Sequence, residues 1–339
     1  MKRINLKTIG EMVGVSASTV SRVLNGKSYV NEKTRKKVLE AISKTNYQPN
    51  EIAQSLKMGS STAICLMIPS IHNLIFAPIC KGLEKVARER GYIVVLCNTD
   101  EDEEMEKIYI EKMRSRWTDG FVFACAKANE KNVRSLQKTG VPIVLVNRYN
   151  EDDIDNIDIV GVDNFKATYD GMKYLISRGC KRIAFAMGEQ RLFFYRERLR
   201  GYKAALLDSG LEYNDSLVMY EKKSTEDFYH LTQELIKRDE NIDAIFASSD
   251  PKAIVIMRAL HDMDVKIPDD VSVLGFDDVE LSAIVEPPLS TVRQPFYQFG
   301  ITAGNALINQ IEYKNANGVL PPGKRYILDH EVIVRKSTK

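Results

Sequence analysis

Histidine is scarce in this sequence, 4 among 339 residues, so general acid–base catalysis has little to draw on. The five cysteines, Cys65, Cys80, Cys97, Cys125 and Cys180, are odd in number, scattered and never spaced as Cys-x-x-Cys. That pattern argues against a disulfide framework or a zinc site and for free thiols in a reducing cytosol. No apolar run reaches the roughly 18 residues a membrane span requires. The opening Met1-Lys2-Arg3-Ile4-Asn5 turns polar at once, unlike a signal peptide. No P-loop or Gly-x-Gly-x-x-Gly follows an apolar run, so nucleotide chemistry loses support. The expectation is a cytoplasmic protein that is not an enzyme and needs no cofactor or metal.

What is present is asymmetric. The formal net charge of +2 conceals a basic head: residues 1–60 hold eleven lysines and arginines against four glutamates, and the remaining 37 basic and 42 acidic residues reverse the sign. A positive end on an acidic body points to a polyanionic partner at that end alone.

Periodicity sharpens this. Asn5 can cap a first helix with Leu6, Ile9 and Val13 on one face, stopped by Gly14. Ser16 can cap a second, Ala17 to Leu24, with Val20, Val23 and Leu24 apolar and Asn25-Gly26 as its stop. Asn31 can cap a third, in which Val38, Leu39 and Ile42 form a stripe. Two short helices around a glycine turn, closed by a third, form a helix-turn-helix layout. The outer face of the second helix carries Ala17, Ser18, Ser21 and Arg22. Small residues permit close approach, hydroxyls hydrogen-bond phosphates, and arginine can grip guanine O6 and N7 with two bonds.

From residue 63 the chain alternates apolar runs (63–68, 93–96, 120–124, 143–147, 159–162, 183–186, 244–248 and 271–275) with helical patterns at 76–90, 103–113, 165–178 and 198–209. Such alternation makes parallel sheets covered by helices, here in two doubly wound lobes. Ligands bind outside the carboxyl ends of the strands in such folds. The acidic run Asp100-Glu101-Asp102-Glu103-Glu104 is read as a solvated helix start with no further role.

The string Val15-Ser16-Ala17-Ser18-Thr19-Val20-Ser21-Arg22-Val23-Leu24-Asn25-Gly26, with Thr34-Arg35-Lys36-Lys37-Val38 and Asn46-Tyr47-Gln48-Pro49-Asn50, closely resembles the signature of the lac-repressor (LacI/GalR) family. In the body, Asn147-Arg148, Gly161-Val162-Asp163-Asn164, Arg198-Leu199-Arg200-Gly201-Tyr202, Ser248-Ser249-Asp250, Gly275-Phe276-Asp277-Asp278 and 287–294 extend the resemblance to about residue 336. Gly10 departs from the family's usual alanine, and a mid-helix glycine costs about 1 kcal/mol. Lys7 also departs, and adds a contact indifferent to DNA sequence.

The resemblance implies a small all-α helix-turn-helix head (1–48), a hinge helix and linker (49–61), and an α/β sensor (62–339) of two periplasmic-binding-protein-like lobes. The first lobe would hold 62–161 and 292–322, and the second 162–291 and 323–339. It assigns base reading to Ala17, Ser18 and Arg22, and phosphate contacts to Ser16, Thr19, Ser21, Asn25, Thr34 and Asn50. In the hinge, Leu56 would wedge between base pairs and Ala53 would let two hinge helices touch. A segment this short does not persist as a helix alone in water. The implied partners are double-stranded operator DNA, a second copy of the chain and a small carbohydrate-like effector. Arg198 and Asp277 match the family's effector-binding pair, expected on opposite walls of the cleft. Asn73, Asn147, Ser249 and Gln294 would add polar groups, and Ile71, Phe76 and Phe296 apolar walls. Phe193-Phe194-Tyr195 either lines the cleft mouth or packs. Some members instead respond to a phosphorylated carrier protein docked outside the sensor, an alternative mode of switching.

Overall fold

Local capping chemistry sets the start of the chain. The computed structural model describes residues 5–24, 29–45, 47, 61–116, 118–124, 129–149, 157–239 and 241–339, which divide into a head up to Ser61 and a body from Thr62. Helix α1 (Leu6–Val13) begins where the Asn5 side chain accepts the Thr8 N–H at 2.9 Å and ends at Gly14, whose φ of 72° suits a residue without Cβ. Ser16 accepts the Thr19 N–H at the start of α2 (Ala17–Leu24), and Asn31 the Lys33 N–H at the start of α3 (Glu32–Thr45). Ile9, Val20, Val23, Val38 and Ala41 form the head's core. Leu39, expected in that stripe, is 49% exposed instead, because positions 38, 41 and 42 share a helix face and 39 does not. Gly10 also finds its reason. A Cβ there would lie 2.5 Å from the Val15 carbonyl oxygen, which the turn folds against the helix.

In the body, β1 (Ala63–Ile68), β2 (Ile93–Asn98), β3 (Gly120–Phe123), β4 (Ile143–Val146) and β5 (Asp158–Gly161) alternate with α4 (Phe76–Glu89), α5 (Glu103–Arg116) and α6 (Arg134–Gln137). After α7 (Asn164–Ser177) come β6 (Ile183–Met187), α8 (Phe193–Asp208), β7 (Val218–Tyr220), α9 (Asp227–Arg238), β8 (Ala244–Ala247), α10 (Asp250–His261), β9 (Ser272–Asp277) and β10 (Ser290–Arg293). The chain closes with α11 (Phe296–Asn317), β11 (Arg325–Ile327) and β12 (Glu331–Ile333).

The first sheet runs β11-β5-β4-β3-β1-β2, all parallel; the second runs β12-β10-β9-β8-β6-β7, parallel except for β12. Apolar clusters cover the sheets: Leu66, Leu83, Val122 and Leu307 belong to one of the first sheet's, Phe185, Phe246 and Phe276 to one of the second's. Helices α4 and α11 meet at Gly82 and Gly300. A Cβ on Gly300 would stand 2.0 Å from the Ile79 carbonyl oxygen, so only bare backbone fits there.

Sheet membership locates the crossings between lobes. The chain leaves the first sheet after Gly161 and returns after Arg293, because β10 pairs with β9. It leaves again after Ile327 rather than near 322, because β11 pairs with β5. Among the described residues no helix is long and apolar enough to cross a membrane.

Candidate functional sites in the head and the interlobe cleft

On the head, the expected DNA-reading residues share one side of α2. Ser18 and Arg22 are exposed, Ala17, Thr19 and Ser21 half-buried, and Arg22 has no ion pair among the described residues. Ser16 is exposed and serves twice: its hydroxyl caps α2 and lies 2.8 Å from the Ser18 hydroxyl and 3.0 Å from that of Thr19. Lys7 is exposed on α1 and Thr34 half-buried on α3. Asn25, Asn50, Ala53 and Leu56 lie outside the described residues, as does nearly all of the expected hinge.

In the body a cavity of about 460 Å³ opens between the lobes. Its lining follows the carboxyl ends of strands in both sheets: Asn73 after β1, Glu101 after β2, Asn147 and Arg148 after β4, Glu189 after β6, Glu221 after β7, Ser249 after β8 and Asp277 at the end of β9. This is where doubly wound sheets bind ligands. Asn147 and Asp277 have left-handed φ values of 63° and 118°, which turn the chain at the strand ends.

Arg198 and Asp277 are the buried centre, 3% and 6% exposed. Contrary to expectation both stand on the second lobe, Arg198 from α8 and Asp277 from β9, so they share one wall. The guanidinium lies over the Phe276 ring at 3.6 Å, donates to Asn164 Oδ1 at 2.9 Å and donates to the Ser248 carbonyl. It makes no ion pair with Asp277 within 4 Å, so each remains oriented by other partners. Burial pulls the guanidinium below its usual pKa, opposed by the Asp277 charge. Burial likewise raises the Asp277 carboxyl, opposed by Arg198 and by Gln294, whose Nε2 donates to Oδ1 at 2.7 Å. Behind them Asp250 is fully buried and accepts from Val279 N, Ser282 Oγ and Thr291 Oγ1 at 2.9, 2.7 and 2.6 Å. Burial first, and the Asp277 charge second, push it up to about 7.

Four expected lining residues are not in the cavity wall. Ile71 is 63% exposed outside it, and Phe76 is buried in the first lobe's core beneath Arg148. Gln294 and Phe296 border a different groove of about 700 Å³, beside Tyr297 and Arg293. Gln294 reaches the site only through Asp277, and its Oε1 is buried without a partner.

Of the aromatic cluster expected either to line the cleft mouth or to pack, Phe194 and Tyr195 line the cavity from the start of α8, whereas Phe193 is not in its wall. Other residues come into the site unforeseen. Glu101, read as merely solvated, lines it 3.6 Å from Arg148. Lys252, 4% exposed on α10, sits 3.1 Å from Glu221, 3.2 Å from the Tyr195 hydroxyl and 3.4 Å from Ser249 Oγ. Burial works to lower its ammonium pKa, but the charges and hydrogen bonds of Tyr195 and Glu221 outweigh it and hold the pKa up. Arg148 was findable from its place at a strand end. Lys252 lies in the same helix stripe as Ala253 and Ile256, where a lysine is out of pattern.

Comparison with known proteins agrees with both parts. Residues 61–325 match the family of periplasmic binding proteins and sugar binding domain of LacI family, and residues 5–50 match bacterial regulatory proteins, lacI family. The chain is 34% identical over 334 residues to the ribose operon repressor of Halalkalibacterium halodurans, covering 98% of this chain and 97% of that protein. It is 31% identical over 337 residues to catabolite control protein A of Priestia megaterium, covering 99% of each. The structure of the lac repressor dimer bound to operator and the anti-inducer ONPF matches with a TM-score of 0.86 and 25% identity over 99% of both chains. With a helix-turn-helix head, two doubly wound lobes and a strand-end cleft between them, the chain belongs to the lacI family of bacterial regulatory proteins, the DNA-binding regulators of transcription.

Proposed function

We propose that this regulator is a cytoplasmic homodimer that represses transcription from a near-palindromic operator and is switched by a small carbohydrate-like effector in the interlobe cleft. One observation carries the reading most. The cavity holds a buried guanidinium and a buried carboxylate on one wall that do not neutralise each other by contact. Such a pair offers separate donors and acceptors to the hydroxyls of a polyol, and Phe194 and Tyr195 offer apolar faces to its ring. Asn73, Asn147 and Ser249 add hydrogen-bonding groups. The relatives' names support it: one is a ribose operon repressor, and the lac repressor is seen as a dimer on operator.

In this reading residues 1–48 read DNA, 49–61 form the hinge and 62–339 sense. Ala17, Ser18 and Arg22 contact base edges; Lys7, Ser16, Thr19, Ser21, Asn25, Thr34 and Asn50 hold the backbone. Ala53 and Leu56 act in the minor groove, where an apolar wedge kinks the duplex. Effector closes the lobes and separates the paired hinges, with a coupling of about 1–3 kcal/mol. The chain's task is binding alone, with no chemical step.

Two substitutions separate the parts. Leu56→Ala lowers operator affinity and DNA bending while effector affinity holds. Asp277→Ala leaves operator affinity near normal and abolishes the effector response. Titration with operator, with and without a sugar found by thermal-shift screening, distinguishes them. An Asp277→Ala protein that responds at the original effector concentration overturns the assignment.

A further inference from the structure

The carboxylates of the cleft are already matched by cations. Glu221 lies against Lys252, Glu101 against Arg148, Glu189 against Arg191, and Asp277 in the field of Arg198. The reverse does not hold. Lys222 and Lys223 follow the carboxyl end of β7, line the cavity, are exposed, and make no ion pair within 4 Å among the described residues. Paired lysines are ordinary on a surface loop, but this loop is fixed. Their backbone N–H groups and that of Ser224 donate to one Asp227 oxygen at 3.0, 2.5 and 2.9 Å; the Asp227 charge acts on Lys222 through space, but its carboxylate contacts neither ammonium within 4 Å. Glu221, the residue beside them, is neutralised from behind by the buried Lys252, so it does not cancel their field.

We infer that the effector of this cleft is an anionic polyol, a sugar bearing a carboxylate or phosphate, whose charged end lies at Lys222 and Lys223 and whose hydroxyls face Arg198 and Asp277. This rests on the reading of the cleft as a sugar site and adds the charge of the ligand. A charge brought to a partly enclosed site lined by unpaired ammonium groups is favoured over its neutral parent, and the advantage shrinks with salt.

The test is calorimetry on the full chain with matched pairs: galactose and galacturonate, glucose and glucuronate, ribose and ribose 5-phosphate. In the preferred pair the acidic member binds at least tenfold tighter than its parent in 50 mM salt, and the ratio falls severalfold in 500 mM salt. Lys222→Gln/Lys223→Gln brings the two members within about twofold. Comparing carboxylate and phosphate arms identifies which anion the site takes. A neutral parent that binds as tightly as its acid, or a ratio unmoved by the double substitution, overturns the inference and leaves the sugar reading standing. If no polyol of either kind binds, the sugar reading itself falls, and the inference with it.

Discussion

Arg198→Met removes a charge that the second lobe is built around. Methionine keeps the apolar contact with Phe276 but leaves Asn164 Oδ1 and the Ser248 carbonyl without their donor. It also strips Asp277 of the positive charge that most favours its ionised form, in a site where both groups are buried. Removing one partner of a buried pair costs about 3–5 kcal/mol, most of it from the charge left behind. Asp277 has an escape: its pKa is already raised, and without Arg198 it rises further, so taking up a proton relieves the penalty. The loss is therefore larger at pH 8 than at pH 5.5. Arg198→Met/Asp277→Asn, which removes the second charge too, recovers about half of it. Urea unfolding followed by far-ultraviolet circular dichroism measures the loss. Arg198→Met unfolding at the wild-type midpoint at both pH values, with sugar affinity intact, refutes the account.

Gly300→Ala gains up to about 1 kcal/mol of helix propensity, yet the Ile79 carbonyl 2.0 Å from the new Cβ forces α4 and α11 apart; the net result is a lower melting temperature, and a rise would show that the helices separate freely. The Asp250 carboxyl has its pKa raised from 3.8 to about 7 in the fold, so it favours folding below pH 4 and loses that contribution as pH rises to about 7, on the order of 4 kcal/mol. Asp250→Asn should accordingly flatten the stability–pH profile between pH 4 and 8, and a profile of unchanged slope counts against the assignment. Arg22→Ala costs about 1–3 kcal/mol of operator binding and relaxes preference at one base pair, whereas Lys7→Ala weakens all sequences alike; a site-selection experiment separates the two.

The parts of the fold legible beforehand were those written in local chemistry. Asn5, Ser16, Asn31 and Gly14 announce helix ends because a cap needs only its own turn. β3, β4 and β8 are just as short but wholly apolar, and so they are legible; β10, β11 and β12 each carry a charged residue, and β7 is only three residues long, so none of these four stands out as an apolar run. Strand ends pointed to the cleft, and resemblance pointed to Arg198 and Asp277, but neither says which way a neighbour faces. Phe76 shows the difference: with Ile79, Leu83 and Val86 it continues the buried stripe of α4, so its own spacing reads as core. Glu101 was hidden in a charge run whose other members do cap and solvate α5. Lys222 and Lys223 acquire meaning only when a cavity is found beside them.

The order of strands in the two sheets bears on how the chain is made. The outer edge of β5 stays unpaired until Arg325–Ile327 exists, and that of β10 until Glu331–Ile333 does. Some 160 residues separate β5 from β11, which a ribosome adding roughly 5–20 residues per second takes about ten to thirty seconds to produce. Through that interval the first lobe offers an open strand edge, the kind of surface that recruits other chains. Both sheets are then completed within a few residues of each other, each ending on that side in an edge strand of only three residues, and Ser337 and Thr338 lock the second by bonding Val273 and Ser290. Nascent chains stalled before residue 325 should therefore engage chaperones and aggregate, while those released past residue 338 should not.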